Sequence, residues 1–372
     1  MKVPFFTPTR EYKLYKAEFD NAIADVIASG DFILGKHVLD FEEAVCSYTG
    51  AKYAVGVASG SDALIITSDL LGFKNGAEVI IPSFTFFAST SGITHLNGKP
   101  VFCDVEEDTF CIDVKDAEKR VTAKTRGIIP VHLFTQTADM ISCMELAKKY
   151  NLSVLEDAAQ SFGVRTMYNG EYKHAGLIGD FGTFSFFPTK TLGGYGDGGM
   201  IVTNDEEMYK KAMSYRTHGA SKRYYYDYVG YNSRLDTLQA AILSVKLSHI
   251  DDAIQKRVRN TAQYREMLKD VAGIKLTVIK NGTKDVCYAF CIRAEKRDAL
   301  KEYLALKEIG TMVYFPLPSH LQKCYEYLGY KKGDFPVSEK LCETALALPI
   351  YSELSEDEIS FVCESVKEFY RK

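Results

Sequence analysis

Phe184-Ser185-Phe186-Phe187-Pro188-Thr189-Lys190-Thr191-Leu192-Gly193-Gly194-Tyr195-Gly196-Asp197-Gly198-Gly199 is the stretch whose reading decides the fold. An apolar, strand-like run ends in one lysine, and five of the seven residues from 193 to 199 are glycines, which let the backbone turn where side chains would obstruct it. Desolvation disfavours an ammonium, and a partly neutral amine can condense with an aldehyde. Ser185, in the same strand end, can bind an oxyanion. A solvated lysine beside a glycine-rich turn looks the same locally, so the decision rests on the rest of the chain.

Outward from this stretch, short β-rich runs at 54–58, 79–81, 100–105, 126–131, 152–156, 182–187 and 200–203 alternate with helical or turn segments. That alternation predicts an α/β domain with a largely parallel sheet and a ligand at the carboxyl ends of its strands. A helix is expected over 13–29. Near Ser233 the alternation stops, and Leu238, Ile242, Val245 and Leu247 open a helical pattern expected to run on through Ile250 and Ile254 toward Leu268. A helix that long bridges domains, so we expect a large domain over 1–245 and a small C-terminal α/β domain over 246–372.

The chain has 372 residues, a formal net charge of -4, 46% apolar and 25% charged residues, and basic residues spread along its length. This excludes a compositional case for disorder and gives no electrostatic footprint for nucleic acid. No stretch approaches the roughly 20 apolar residues of a membrane span, and residues 1–10 lack the pattern of a signal peptide. A cytoplasmic enzyme acting on a small molecule is expected. The nine cysteines are scattered singly through apolar runs, as reduced core thiols would be, and no metal site is expected.

Four further segments carry chemistry. Ser59-Gly60-Ser61-Asp62 turns from a strand into a helix, a place where free N–H groups and the helix dipole can hold a phosphate, although an ordinary serine cap reads the same way. Val154-Leu155-Glu156-Asp157-Ala158-Ala159-Gln160 ends a buried-type strand in carboxylates. Asp157 there would be costly to desolvate unless a cation or a protonated ring nitrogen faced it, and Gln160 can reach a ring hydroxyl. In Pro82-Ser83-Phe84-Thr85-Phe86-Phe87, Phe86 can stack on a planar ring, or all three aromatics can be core. Gly230-Tyr231-Asn232-Ser233-Arg234-Leu235-Asp236 sets an amide and a guanidinium before a helix, suited to phosphate or carboxylate. An amine for an aldehyde, an anion hole, an acid for a ring nitrogen and a stacking ring are together the needs of pyridoxal 5'-phosphate.

At this point the chain resembles a known family. Ile33-Leu34-Gly35, Ser59-Gly60-Ser61-Asp62-Ala63-Leu64, Glu156-Asp157-Ala158-Ala159-Gln160-Ser161-Phe162-Gly163, the lysine stretch, His218-Gly219, the segment 230–236 and Leu348-Pro349 are similar to motifs of the DegT/DnrJ/StrS sugar-nucleotide aminotransferases. The resemblance implies the type I fold of pyridoxal-phosphate enzymes, like aspartate aminotransferase, and a homodimer with shared active sites. It implies that Lys190 holds the cofactor through a Schiff base and shuttles a proton, while Asp157 faces the pyridine nitrogen. It also places Gln160 on the ring oxygen, Phe86 over the ring, and Gly60, Ser61 and Ser185 on the phosphate with Asn232 from the partner subunit. Relatives in which a histidine replaces this lysine are dehydratases, a branch that Lys190 argues against.

The expected reaction transfers the amino group of L-glutamate to a keto group of a nucleotide sugar, at C3, for cell-surface polysaccharide synthesis. The lead substrate is a UDP-linked 3-keto-N-acetylglucosaminuronate, through Arg223-Tyr224-Tyr225 and the run 231–243. The alternative, through His320-Leu321-Gln322 and Gly333-Asp334-Phe335-Pro336-Val337, is a dTDP-3-keto-6-deoxyhexose. A non-catalytic relative is the remaining alternative. Arg234, Tyr314 and Phe315 are the expected substrate contacts. Tyr314-Phe315-Pro316 stands where many relatives read His-Tyr-Pro, and a tyrosine there carries no positive charge near neutral pH.

Overall fold

The structure, a computed structural model, describes residues 1–134 and 136–371. Its centre is a sheet of seven strands, reached in chain order by β1 (Tyr53–Val57), β2 (Glu78–Pro82), β3 (Lys99–Cys103), β4 (Thr125–Ile128), β5 (Ser153–Asp157), a side hairpin β6 (Arg165–Tyr168) and β7 (Glu171–His174), then β8 (Phe181–Ser185) and β9 (Gly199–Thr203). The spatial order is β1-β9-β8-β5-β4-β2-β3, and only β9 runs antiparallel to its neighbours. All seven expected sheet strands are present.

Alternation along these strands explains why both faces are buried. Ile201, Phe181, Leu155, Val79 and Ile81 point to one face, where they pack with Ala63, Leu64 and Ile66 of the helix Gly60–Leu70 and Ile93 of Phe87–Thr94. Met200, Val202 and Phe184 point to the other, against Phe41 and Val45 of Lys36–Thr49 and Leu243 of Thr237–Ser248. Farther along that face Ile80, Val101 and Ile128 meet Cys143 and Leu146 of Met140–Tyr150. A parallel sheet needs such cover on both sides, hence its nearly unbroken apolar strands.

After a two-strand hairpin, β10 (Ala220–Lys222) and β11 (Tyr225–Tyr226), the C-terminal part builds its own antiparallel sheet. It is made of β12 (Ile274–Leu276), β14 (Phe290–Ala294) and β15 (Ala345–Leu348), while β13 (Thr283–Lys284) pairs instead with β6. Tyr264, Leu300, Leu304, Ile359 and Val362 fill the core over this sheet. Val3 lies in the same core and bridges Ile309, so the first residues of the chain are fastened to its last third.

Two helical expectations are corrected. The pattern from Leu238 to Leu268 is two helices, Thr237–Ser248 and Ile250–Leu268, broken at His249, whose ring stacks on Tyr15 at 3.8 Å and whose Nε2 meets Glu18 at 2.9 Å. The helix expected over 13–29 is likewise two, Thr9–Leu14 and Lys16–Ser29, with Tyr15 at the break. The stacked pair thus occupies both breaks.

Candidate active site

The carboxyl ends of β5 and β8 and the start of the helix Gly60–Leu70 surround a cavity of about 500 Å³. Nine of the sequence-derived site residues line it: Gly60, Ser61, Phe86, Asp157, Gln160, Ser185, Lys190, Tyr314 and Phe315. Asn232 and Arg234 are not in its walls; Asn232 is exposed and Arg234 half-buried on the segment leading into Thr237–Ser248.

The loop that presents Lys190 is held by groups on all sides. The Lys190 N–H donates to Phe187 O at 2.8 Å and that of Gly194 to Phe186 O at 2.8 Å. Gln239 Oε1 accepts from Tyr195 N at 2.9 Å. Lys246, buried, donates to Gly193 O at 2.7 Å and pairs with Glu11 at 2.6 Å, which fastens the N-terminal helix to the lysine loop.

At the anion end, Ser59 caps the helix by accepting from Asp62 N at 3.1 Å, which leaves the Ser61 hydroxyl to the cavity. A side chain at Gly60 would place its Cβ 2.7 Å from Ser185 Cβ, and one at Gly199 would meet the Ser59 carbonyl at 2.4 Å. Only glycine permits the helix start to lie this close to the end of β8, so free N–H groups and two hydroxyls converge on one point. Ser233 secures the neighbouring segment by donating to Asp62 Oδ2 at 2.7 Å.

At the inner end, the buried Asp157 accepts from Ser89 Oγ at 2.6 Å and from Ala159 N at 3.1 Å. Both donors are neutral, and among the described residues no ion pair reaches this buried carboxylate at the cavity wall, a state that is costly unless a cation arrives. A protonated pyridine nitrogen supplies that charge. Gln160 Oε1 accepts from Phe134 N at 3.0 Å, which leaves its NH2 as the donor for a ring oxygen. Phe86, 58% exposed beside a fully buried Phe84, has a ring face to offer.

Behind Asp157 lies an arrangement that the sequence did not reveal. Glu156 is fully buried and accepts from His132 Nε2 at 2.9 Å and from Gly176, Ile178 and Gly179 N–H groups at 2.9, 2.6 and 2.6 Å. Burial pushes its carboxyl up, but His132 and these N–H groups outweigh it and hold the group below its ordinary value. His132 Nδ1 accepts from Ala138 N, so Nε2 carries the proton toward Glu156. Its backbone N–H donates to Asp157 O at 3.0 Å, which ties the strand end in place.

Ser89, Asp197, Tyr288 and Met312 also line the cavity and were not singled out as site residues. Asp197 was legible inside the glycine-rich run. Tyr288 and Ser89 carried no signal, since Tyr288 sits among apolar neighbours and Ser89 is one of three hydroxyl residues in a row. The Tyr314 phenol is pushed up by burial and by Tyr288 beside it; Tyr288 is pushed up by burial but held below its ordinary value, first by the Lys190 charge and then by its neighbours, Thr189 among them.

Comparison with known proteins agrees with this geometry. Residues 13–367 match the DegT/DnrJ/EryC1/StrS aminotransferase family. The chain is 44% identical to a pleiotropic regulatory protein of Geobacillus stearothermophilus, over all of this chain and 99% of the relative. It is 40% identical to a dTDP-3-amino-3,6-dideoxy-alpha-D-galactopyranose transaminase of Aneurinibacillus thermoaerophilus, over 99% of each. The structure of S. venezuelae DesV in complex with a ketimine intermediate superposes with a TM-score of 0.96 at 36% identity, covering 100% of this chain and 99% of that one. Transaminases named for dTDP-sugars and for UDP-sugars are both among the matches. The chain therefore belongs to the DegT/DnrJ/EryC1/StrS aminotransferase family, pyridoxal-phosphate-dependent transaminases of the type I fold that act on nucleotide sugars.

Proposed function

We propose that the chain transfers the amino group of L-glutamate to C3 of a dTDP-linked 3-keto-6-deoxy sugar, working in the cytoplasm as a homodimer. The observation that carries the substrate class is the cavity wall: Lys190 is its one cationic side chain among the described residues, and Tyr314, Phe315, Phe86, Phe187 and Met312 give it an aromatic and apolar lining. A 6-deoxy sugar suits such a lining, whereas a uronate brings a carboxylate for which these walls offer no cation besides Lys190. The 40% identity to a dTDP-sugar transaminase supports the same choice. The UDP-linked 3-keto-N-acetylglucosaminuronate, the lead expectation from sequence, is the second reading, supported by the matches to UDP-sugar transaminases.

Bound pyridoxal 5'-phosphate supplies an aldehyde and an electron sink. In this proposal Lys190 holds it and, once freed, carries a proton on Nζ to and from the reacting substrate carbon. Asp157, oriented by Ser89, faces the ring nitrogen, Gln160 donates to the ring oxygen, and Phe86 covers the ring. Gly60, Ser61 and Ser185 receive the phosphate, joined by Asn232 of the second copy, and Arg234 takes the glutamate carboxylate. A cofactor-binding part over 1–245 and a smaller part over 246–372 belong to the same reading.

The test loads the protein with pyridoxamine 5'-phosphate and offers each keto sugar separately. Return of the aldehyde-form absorbance with the dTDP-deoxy sugar is expected; return with the UDP-uronate alone rejects the substrate and leaves the chemistry standing. Sedimentation should show a dimer, and an active monomer would contradict the role given to Asn232.

A further inference from the structure

Lys190 Nζ lies over the ring of Tyr288, 4.8 Å from its centroid. The ring is fixed from several sides. Tyr288 is 7% exposed, its N–H donates to Phe134 O at 3.1 Å, and its hydroxyl meets Thr189 Oγ1, next to the lysine, at 3.3 Å. Tyr314 lines the same cavity wall. With the hydroxyl held at the rim, the face of the ring is left for the amine. An aromatic face attracts a cation, more strongly when both are withdrawn from water.

We propose that Tyr288 is a positioning residue for Lys190: its ring face seats the lysine ammonium in every state in which that amine is not bonded to the cofactor. The inference rests on Lys190 being the cofactor lysine. A transaminase frees and recaptures this amine in each turnover, and a seat beside the cavity keeps it from being lost to other partners while substrate occupies the site.

The seat has a thermodynamic signature. Apoprotein and protein holding pyridoxamine phosphate both have a free Lys190 and are stabilised by the ring; protein joined to pyridoxal phosphate is not. Removing the ring therefore tightens the aldehyde form and leaves the amine form near its starting affinity. General damage to the cavity weakens both forms together.

The experiment measures equilibrium binding of pyridoxal phosphate and pyridoxamine phosphate to apoprotein of the wild type, Tyr288→Leu and Tyr288→Phe. The ratio of the pyridoxamine Kd to the pyridoxal Kd is expected to rise about threefold to tenfold in Tyr288→Leu and to stay within about twofold of wild type in Tyr288→Phe. An unchanged ratio in Tyr288→Leu overturns the proposal, and so does an equal rise in Tyr288→Phe, which would trace the effect to the hydroxyl. Tyr288→Met replaces the leucine variant if that does not fold; failure of both assigns the ring to the core and also overturns the proposal. A Lys190→Ala apoprotein that still bonds pyridoxal phosphate covalently would instead remove the premise, a separate result.

Discussion

Ser89 donates its hydroxyl hydrogen to Asp157 Oδ2 across 2.6 Å, and Thr85 Oγ1 stands 3.0 Å behind Ser89. The pair fixes a buried carboxylate at the inner end of the cavity. If that charge holds a ring nitrogen protonated, Asp157→Asn keeps the shape and removes the charge. Turnover should fall by about 100-fold or more in Asp157→Asn, and by about tenfold in Ser89→Ala, which loses one bond to a charged group. Steady-state kinetics with glutamate as amino donor check both; an active Asp157→Asn contradicts the assignment.

Gly60→Ala is a test of the phosphate end. The added methyl would lie 2.7 Å from Ser185 Cβ and 3.1 Å from its Oγ, so the helix start must move away from β8. The fold should survive, because the shift is confined to one turn, while the Kd for pyridoxal phosphate rises about tenfold or more. Equilibrium dialysis of the apoprotein measures it.

His174 makes stability depend on pH. Its Nδ1 donates to Ala175 O at 2.6 Å and its Nε2 accepts from Gly163 N at 2.8 Å, a pairing that only the neutral ring can make. Burial pushes its pKa down to about 4. The unfolded chain takes up this proton near pH 6.5 and the native one not until about 4, so stability falls as pH drops through that window, by up to about 3 kcal/mol. Urea unfolding between pH 7 and 4.5 should show this decline, and His174→Gln, although less stable at pH 7, should show a shallower one.

The parts of this molecule that are legible in sequence are those set by local pattern. The sheet strands follow from short apolar runs buried on two faces, and Lys190, Asp157, Gln160 and Ser61 from their places at strand ends. What escaped depends on approach between distant segments. Tyr15 stacks on His249 at the helix break, a contact between distant segments, while the apolar period runs straight through Leu247 and Ile250. Tyr288 reads as one more core aromatic until the lysine loop is laid over it. Asn232 and Arg234 stand outside the cavity walls, although the sequence reading placed them in the site.

The most direct test of the central claim is chemical capture. Pyridoxal phosphate is added to the purified protein, the adduct is reduced with borohydride, and the modified peptide is located by mass spectrometry. A phosphopyridoxyl group on Lys190, lost in Lys190→Ala, is the expected result. A stoichiometric label on any other lysine, or none at all in protein that binds the cofactor, would contradict the account.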